Sequence, residues 1–360
     1  MIAVHVVVPH GIDDPERPSG GNTYDRRACS ELAARGWAVN EVRVPGAWPD
    51  ADAGSRRALA ATLRDVPDGA LVLLDGIVAS AAPEAVVPEA DRLRLVVLVH
   101  LPLGVPAEGG PRRPAGPFDP RSLECRVLHA AAAVVVTSRW SREWLVGAYG
   151  LPPDRVLVVP PGVDRAEVVP GSAEGDRLVV VGAVTPVKGH DVLVTALESV
   201  ADLRWSCTVV GSTSIDPAFV ARVRGAVLAA GLRSRVRLPG PRVGSALDAV
   251  YAAADLVVVP SRVETYGMVV TEALARAVPV VGAAVGGLPE AMGTAPGARR
   301  PGLLVAPDDP GALAAAVRRW LTDAELRDAL RSAARSRREA LAGWRQTGDR
   351  LSALLAEVAA

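Results

Sequence analysis

Short apolar runs rich in valine recur along the chain at residues 2–8, 39–44, 70–74, 95–99 and 133–137. Between most of them the apolar spacing turns helical, as at 23–35 and 139–149. Runs that are apolar on both faces and alternate with helices predict a parallel sheet covered on both sides. The series stops at a Pro/Gly stretch, Pro160-Pro161-Gly162-Val163-Asp164 through Pro170-Gly171-Ser172, and then restarts. New strands are predicted at 178–181, 204–210, 236–238, 256–259, 278–281 and 303–305. The economical reading is two doubly wound α/β domains joined near residue 165. Ligands of such sheets bind beyond the carboxyl ends of the strands, so the loops after strands carry the functional signal. One of these loops, 101–120, is dense in Pro and Gly and holds Arg112 and Arg113. It is too long for a plain connector and reads as a mobile loop on the acceptor side.

Composition narrows the class. At 360 residues there is room for two ordinary domains, and 49% hydrophobic content with few aromatics means cores of Val, Leu and Ala. Forty basic residues balance forty acidic ones, which makes nucleic acid and strongly anionic membrane poor partners. Cys29, Cys125 and Cys207 share no metal-ligand spacing and cannot all pair, as suits a reducing cytosol. No signal peptide is read at the N-terminus and no run approaches a membrane span, so a cytoplasmic location is expected.

The charge inventory contains one oddity. Lys188 is the single lysine beside 39 arginines, in Gly182-Ala183-Val184-Thr185-Pro186-Val187-Lys188-Gly189, directly after a predicted strand. A compact ammonium on a thin stem suits a phosphate seated close to glycine backbone better than a guanidinium does. A second segment adds weight: Pro260-Ser261-Arg262-Val263-Glu264-Thr265-Tyr266-Gly267-Met268-Val269-Val270-Thr271-Glu272. After the strand at 256–259 a helix is expected to begin near Tyr266–Met268. Free N–H groups at a helix start favour an anion, and Gly267 lets backbone approach it. Glu264 before the helix and Glu272 within it can address two ends of one elongated ligand. Either glutamate alone reads more simply as a surface carboxylate.

The pattern Ser261-x-x-Glu264-x-Tyr266-Gly267-x-x-x-x-Glu272-Ala273-x-Ala275 is followed by Pro279-Val280-Val281 and Val285-Gly286-Gly287-Leu288-Pro289-Glu290. Together these resemble the signature of the retaining family-4 glycosyltransferases (glycosyl transferases group 1). The resemblance covers most of the chain. Ser19-Gly20-Gly21 is similar to that family's glycine-rich loop after the first strand. Residues 182–189 are similar to its phosphate loop, and Trp344 to its C-terminal helix.

The resemblance implies the GT-B fold, two facing Rossmann-like α/β domains with a C-terminal helix returning to the first. The first domain would be 1–165 plus about 343–360, on the acceptor side. The second would be 166–342, binding a nucleotide-sugar donor. Lys188 would contact the donor diphosphate, Glu264 the sugar hydroxyls and Glu272 the ribose. Backbone at Tyr266, Gly267, Met268 and Val269 would also meet the phosphates, and Gly20 and Gly21 would approach the diphosphate or sugar. His100, at the end of a strand, matches a histidine placed beside the donor sugar. His100, Lys188 and Glu264 are thus the candidate catalytic set.

One departure stands out. The family usually has arginine where this chain has Ala183. Arg262 is the candidate substitute at the phosphates; otherwise donor binding or catalysis is weakened.

The implied reaction is sugar transfer to an acceptor hydroxyl, with retention, without metal or cofactor. A small soluble metabolite is the preferred acceptor. A lipid acceptor at the membrane surface is the alternative, with Arg56, Arg57 and Arg64 as a weak basic face. A non-catalytic sugar-nucleotide-binding protein is a further alternative, motivated by Ala183. Asp50-Ala51-Asp52 matches the Asp-x-Asp string of metal-dependent transferases but lies in a Pro/Ala/Gly-rich loop and reads as solvated surface. No dinucleotide or P-loop glycine string occurs.

Overall fold

In the computed structural model, which describes residues 2–105 and 119–360, twelve strands form two six-stranded parallel sheets. The first sheet holds β1 (Ala3–Pro9), β2 (Ala38–Val44), β3 (Leu71–Asp75), β4 (Arg94–Val99), β5 (Ala133–Val136) and β6 (Val156–Val158). Their order is β2-β1-β3-β4-β5-β6. The second holds β7 (Arg177–Val181), β8 (Ser206–Val210), β9 (Val236–Gly240), β10 (Leu256–Val259), β11 (Val280–Ala283) and β12 (Gly302–Val305), in the order β12-β11-β10-β7-β8-β9.

Valine explains the sheets. In β10, Val257 pairs with Val179 on one side and Val280 on the other, and all four strand residues are buried. A branched side chain fits the pleat, and burying each one contributes about 1.5–3 kcal/mol. Helices cover both faces, which is why these runs do not alternate with polar residues. β6 escapes the sequence pattern because its three residues run straight into Pro160 and Pro161.

The strand orders reverse between β1 and β3 and again between β7 and β10. These are the switch points where loops diverge and leave a crevice. The two sheets face one another across a cleft formed by their carboxyl-end loops.

The C-terminal helix, Trp344–Ala359, returns to the first domain. Trp344, Leu351 and Leu355 join the core of Val4, Val6, Tyr24, Leu32 and Leu73. Trp37 Nε1 donates to Ser352 Oγ at 2.9 Å, and Arg35 reaches Asp349 at 2.7 Å. Thr347 Oγ1 donates to the carbonyl of Pro160 at 2.9 Å, fixing the crossing between domains.

Two local expectations change. The helix predicted at 23–35 starts at Gly20, because Ser19 Oγ caps it by accepting from Asn22 N at 3.0 Å. Gly20 and Gly21 are therefore the first turn of a helix and not a free loop. Asp52 caps the Ala53–Arg64 helix by accepting from Ser55 N at 2.7 Å, which gives the Asp-x-Asp string a local structural role. Arg56 on that helix reaches the carbonyl of Ala51 and, at 3.5 Å, Glu84. The loop 101–120, read as a mobile loop on the acceptor side with Arg112 and Arg113, lies largely outside the described residues. Among the described residues, no helix is long and apolar enough to cross a membrane.

Candidate active site

Lys188 and Glu264 come from the loops after β7 and β10, the two strands flanking the second switch point. Lys188 Nζ donates to Glu264 Oε2 at 2.6 Å, and Ser261 Oγ lies 3.4 Å from the same oxygen. Local geometry holds both loops. Arg262 N donates to the carbonyl of Val187 at 2.8 Å, stitching them together, and Gly287 N donates to the carbonyl of Glu264 at 2.9 Å. Gly189 follows Lys188 with φ +66°, and a Cβ there would sit 2.1 Å from the carbonyl oxygen of Pro260. Only glycine allows the lysine loop to lie this close to its neighbour.

The helix Met268–Ala275 begins directly after Gly267, so its N-terminal N–H groups open beside Lys188 and Glu264. Glu272, on that helix, accepts from the Tyr251 hydroxyl at 2.7 Å. Burial pushes its carboxyl above the ordinary range, against the stabilising donation from Tyr251. Tyr251 is fully buried and orients Glu272 towards the cleft.

The first domain contributes the opposite wall. Gly20 faces Met268, where a Cβ would come 3.1 Å from its sulfur. Gly21 faces His100, where a Cβ would come 3.0 Å from Cδ2. His100 follows β4 and has its Nε2 2.8 Å from Asp25 Oδ1 and 3.9 Å from Asp75 Oδ2. Tyr24 lies edge-on to the ring with centroids 5.3 Å apart. Burial opposes a charge on His100, yet Asp25 and then Asp75 carry its pKa above the usual imidazole value. Burial, and then the neighbouring Asp25, push the Asp75 carboxyl up to about 8.

These walls enclose a cavity of about 330 Å³. It is lined by Gly20, Gly21, His100, Lys188, Glu264, Tyr266, Gly267, Met268, Val269 and Glu272, so every candidate proposed from the sequence except Arg262 meets there. Ala183 also lines it. Arg262 is turned away: its guanidinium forms a two-pronged pair with Asp191 at 2.8 and 2.9 Å and also reaches Asp308. A fork held by two carboxylates is a poor phosphate ligand. Arg262 shares a loop with Glu264, but the two side chains point in different directions. The second cation among the lining residues is Arg242, after β9, which is exposed. Its one described hydrogen bond runs to the carbonyl of Pro241.

Asp25, Asp75, Tyr251 and Arg242 were not singled out from the sequence. Asp75 carried a signal, as the one charge closing an otherwise apolar strand. Among the described residues, Asp25, Asp75 and His100 are also the one grouping whose donor atoms lie close enough, within 4.8 Å, to hold a cation.

The family models settle the lineage. The one described as Glycosyltransferase Family 4 matches residues 3–167, and the one described as Glycosyl transferases group 1 matches residues 167–337. The chain belongs to the family-4 glycosyltransferases. A D-inositol 3-phosphate glycosyltransferase of Kineococcus radiotolerans is 34% identical to this family-4 chain over 270 residues, 68% of this chain and 60% of that protein. One of Catenulispora acidiphila is 34% identical over 252 residues, 64% and 58% respectively. The chain therefore spans about 60% of the length of these curated relatives. Among solved structures, sucrose-phosphate synthase from Thermosynechococcus elongatus superposes with a TM-score of 0.78 at 23% identity, covering 99% of both chains. Anabaena HepE in complex with UDP-glucose gives 0.76 at 17%, covering 99% of this chain and 100% of that one. At these identities the likeness shows the fold, and the fold is GT-B.

Proposed function

We propose that the chain moves a glycosyl group from a nucleotide-diphosphate sugar to an acceptor hydroxyl, with retention at the anomeric carbon. The observation that carries this reading is the Lys188–Glu264 pair at a switch point, faced across the cleft by His100. A cation and a carboxylate 2.6 Å apart can separate onto neighbouring parts of one ligand. The diphosphate would take Lys188, and the hydroxyls of the adjoining sugar would take Glu264. Glu272, held by Tyr251, lies further along the same helix and would take the ribose.

In the proposed reaction the anomeric C–O bond breaks and its electron pair passes to the departing diphosphate. The acceptor oxygen bonds to the anomeric carbon on the same face. Its proton passes to a phosphate oxygen. Lys188 and the N–H groups opening the Met268–Ala275 helix would stabilise the charge growing on that phosphate. Neighbouring backbone at Tyr266, Gly267 and Val269 would share that contact. Gly20 and Gly21 give the first domain a side-chain-free approach to the donor, and closure of the cleft would keep water from the anomeric carbon. We assign Arg242 the place of the missing arginine at 183, since Arg262 is committed to Asp191. No metal or cofactor is assigned a role, and a cytoplasmic site of action is part of the same proposal.

The acceptor is proposed to be a small hydroxylated metabolite. The sequence relatives named as D-inositol 3-phosphate glycosyltransferases support this class and make that compound the first to try. Incubation of the protein with UDP-glucose and D-inositol 3-phosphate, and with other pairs of donor and acceptor, tests the reading. Acceptor-dependent release of nucleoside diphosphate, with a product whose anomeric configuration matches the donor's, supports it. Inversion contradicts the stereochemical part. Tight donor binding without any release across the panel would favour a non-catalytic sugar-nucleotide-binding protein, for which Ala183 is the motive.

A further inference from the structure

Behind His100 lies a chain of buried acid groups that donor binding does not require. Asp25 belongs to the helix Gly20–Ala33 and is 3% exposed; Asp75 ends β3 and is 6% exposed. Asp75 is anchored by the backbone, since its Oδ1 accepts from Ile77 N at 2.7 Å and Val78 N at 3.2 Å. Its other oxygen, Oδ2, lies 3.9 Å from His100 Nε2. Asp25 places Oδ1 on His100 Nε2 at 2.8 Å, while its Oδ2 is buried with no hydrogen-bond partner among the described residues. Two buried carboxyl groups this close cannot both be ionised at low cost, and a proton between them removes the repulsion.

We propose that Asp25 and Asp75 form a buried carboxyl pair sharing one proton, and that this pair is a positioning device that holds His100 with Nε2–H turned inward and Nδ1 presented to a substrate hydroxyl. This rests on the reading of the cleft as a sugar-nucleotide site. Asp75 carries the proton, because Asp25 already receives a hydrogen bond from the ring. The Asp75 Oδ2–H donates to Asp25 Oδ2, and the imidazole Nε2–H donates to Asp25 Oδ1. The otherwise unmatched Oδ2 of Asp25 is thereby satisfied. The upward shift of the Asp75 carboxyl agrees with this arrangement. Cδ2 and Cγ of the ring lie against Gly21, so the Nδ1 side is the polar edge that remains for a ligand. In this tautomer Nδ1 accepts a hydrogen bond from a hydroxyl.

The arrangement makes the two aspartates unequal, which provides the test. In Asp75→Asn the amide oxygen still caps Ile77 N, and its NH₂ still donates to Asp25, as the protonated acid does. In Asp25→Asn the anionic acceptor for Nε2–H is lost. The ring nitrogens of the five histidines are followed by ¹⁵N NMR on the full chain, with the His100 signals assigned by their loss in His100→Gln. The proposal predicts a protonated Nε2 and an unprotonated Nδ1 for His100 once the pH exceeds the raised value of its ring, in wild type and in Asp75→Asn, and a shift away from that state in Asp25→Asn. It also predicts that kcat falls about tenfold or more in Asp25→Asn with KM for the donor changed far less, and falls distinctly less in Asp75→Asn. Unchanged His100 signals in Asp25→Asn would overturn it, and they can be read even if the cleft binds no sugar nucleotide. Equal losses in both variants, reversed by an added divalent cation, would also overturn it and make the three groups cation ligands.

Discussion

Lys188 and Glu264 are 76 residues apart, yet they share a 2.6 Å hydrogen bond because β7 and β10 are neighbours in the sheet. Leu178 pairs with Leu256 and Val179 with Val257, so the loops leaving these strands start side by side. The switch in strand order then sends their helices apart and leaves the two side chains at the mouth of the crevice. Lys188→Ala should weaken binding of nucleotide sugar and of free nucleoside diphosphate alike, by about 10- to 100-fold, as expected for a lost charged hydrogen bond. Glu264→Gln should weaken the sugar nucleotide and hardly touch the free diphosphate. Calorimetric titration of both ligands against both variants separates the two roles.

Arg242 and Arg262 should behave oppositely. Arg242→Ala should raise the donor Kd about three- to tenfold and flatten its dependence on salt, while leaving the melting temperature unchanged. Arg262→Ala should lower stability by about 1–2 kcal/mol, because it strips Asp191 and the carbonyl of Pro186 of their donors. Its effect on donor affinity should follow only from loosening of the lysine loop. Titrations at two ionic strengths, with a thermal melt of each variant, check both.

The centre of the second domain was legible because β7 and β10 end in unbroken runs of leucine and valine, and because Lys188, Glu264 and Glu272 follow them in the loops and helix beyond the strands' carboxyl ends. Asp25, Asp75 and His100 were harder. They come from three different elements, and Asp25 and His100 are 75 residues apart. Periodicity places Asp25 in a helix but does not show that its side chain turns inward beside Tyr24. The early start of that helix was hidden as well, since a Gly-Gly pair argues against helix until Ser19 is seen to cap it. Arg242 looked like any exposed loop arginine.

Gly21→Ala should separate stability from activity. Alanine is preferred to glycine within a helix by about 0.5–1 kcal/mol, so the melting temperature should hold or rise. The new methyl group would lie 3.0 Å from His100 Cδ2 and press the ring off Asp25. Activity should fall about tenfold or more, and steady-state kinetics beside a thermal melt test this.

Stability should decline as pH falls through His190. This ring is fully buried at the start of the helix His190–Glu198, and burial, assisted by the charge of Lys188, pulls its pKa down to about 4. The unfolded chain takes up the proton first, so the contribution is complete above about pH 6.5 and is lost as pH drops towards 4. The melting temperature of His190→Gln should approach that of wild type at pH 4.5, from a wider gap at pH 7.5. Asp75 has the opposite sign: its raised carboxyl costs stability as pH rises from about 4 to about 8. Asp75→Asn should therefore gain on wild type at the alkaline end of the same series.

The central claim is that the Lys188–Glu264 crevice receives the diphosphate and sugar of a nucleotide-sugar donor. The most direct measurement is a thermal-shift series with UDP-, GDP-, ADP- and TDP-sugars on wild type and Lys188→Ala. A ligand at 100 times its Kd adds about 2.7 kcal/mol, which is readily seen. We predict stabilisation of wild type by one nucleotide series and its loss in Lys188→Ala. Equal stabilisation of both proteins would place the donor elsewhere, and none from any nucleotide sugar would contradict the account.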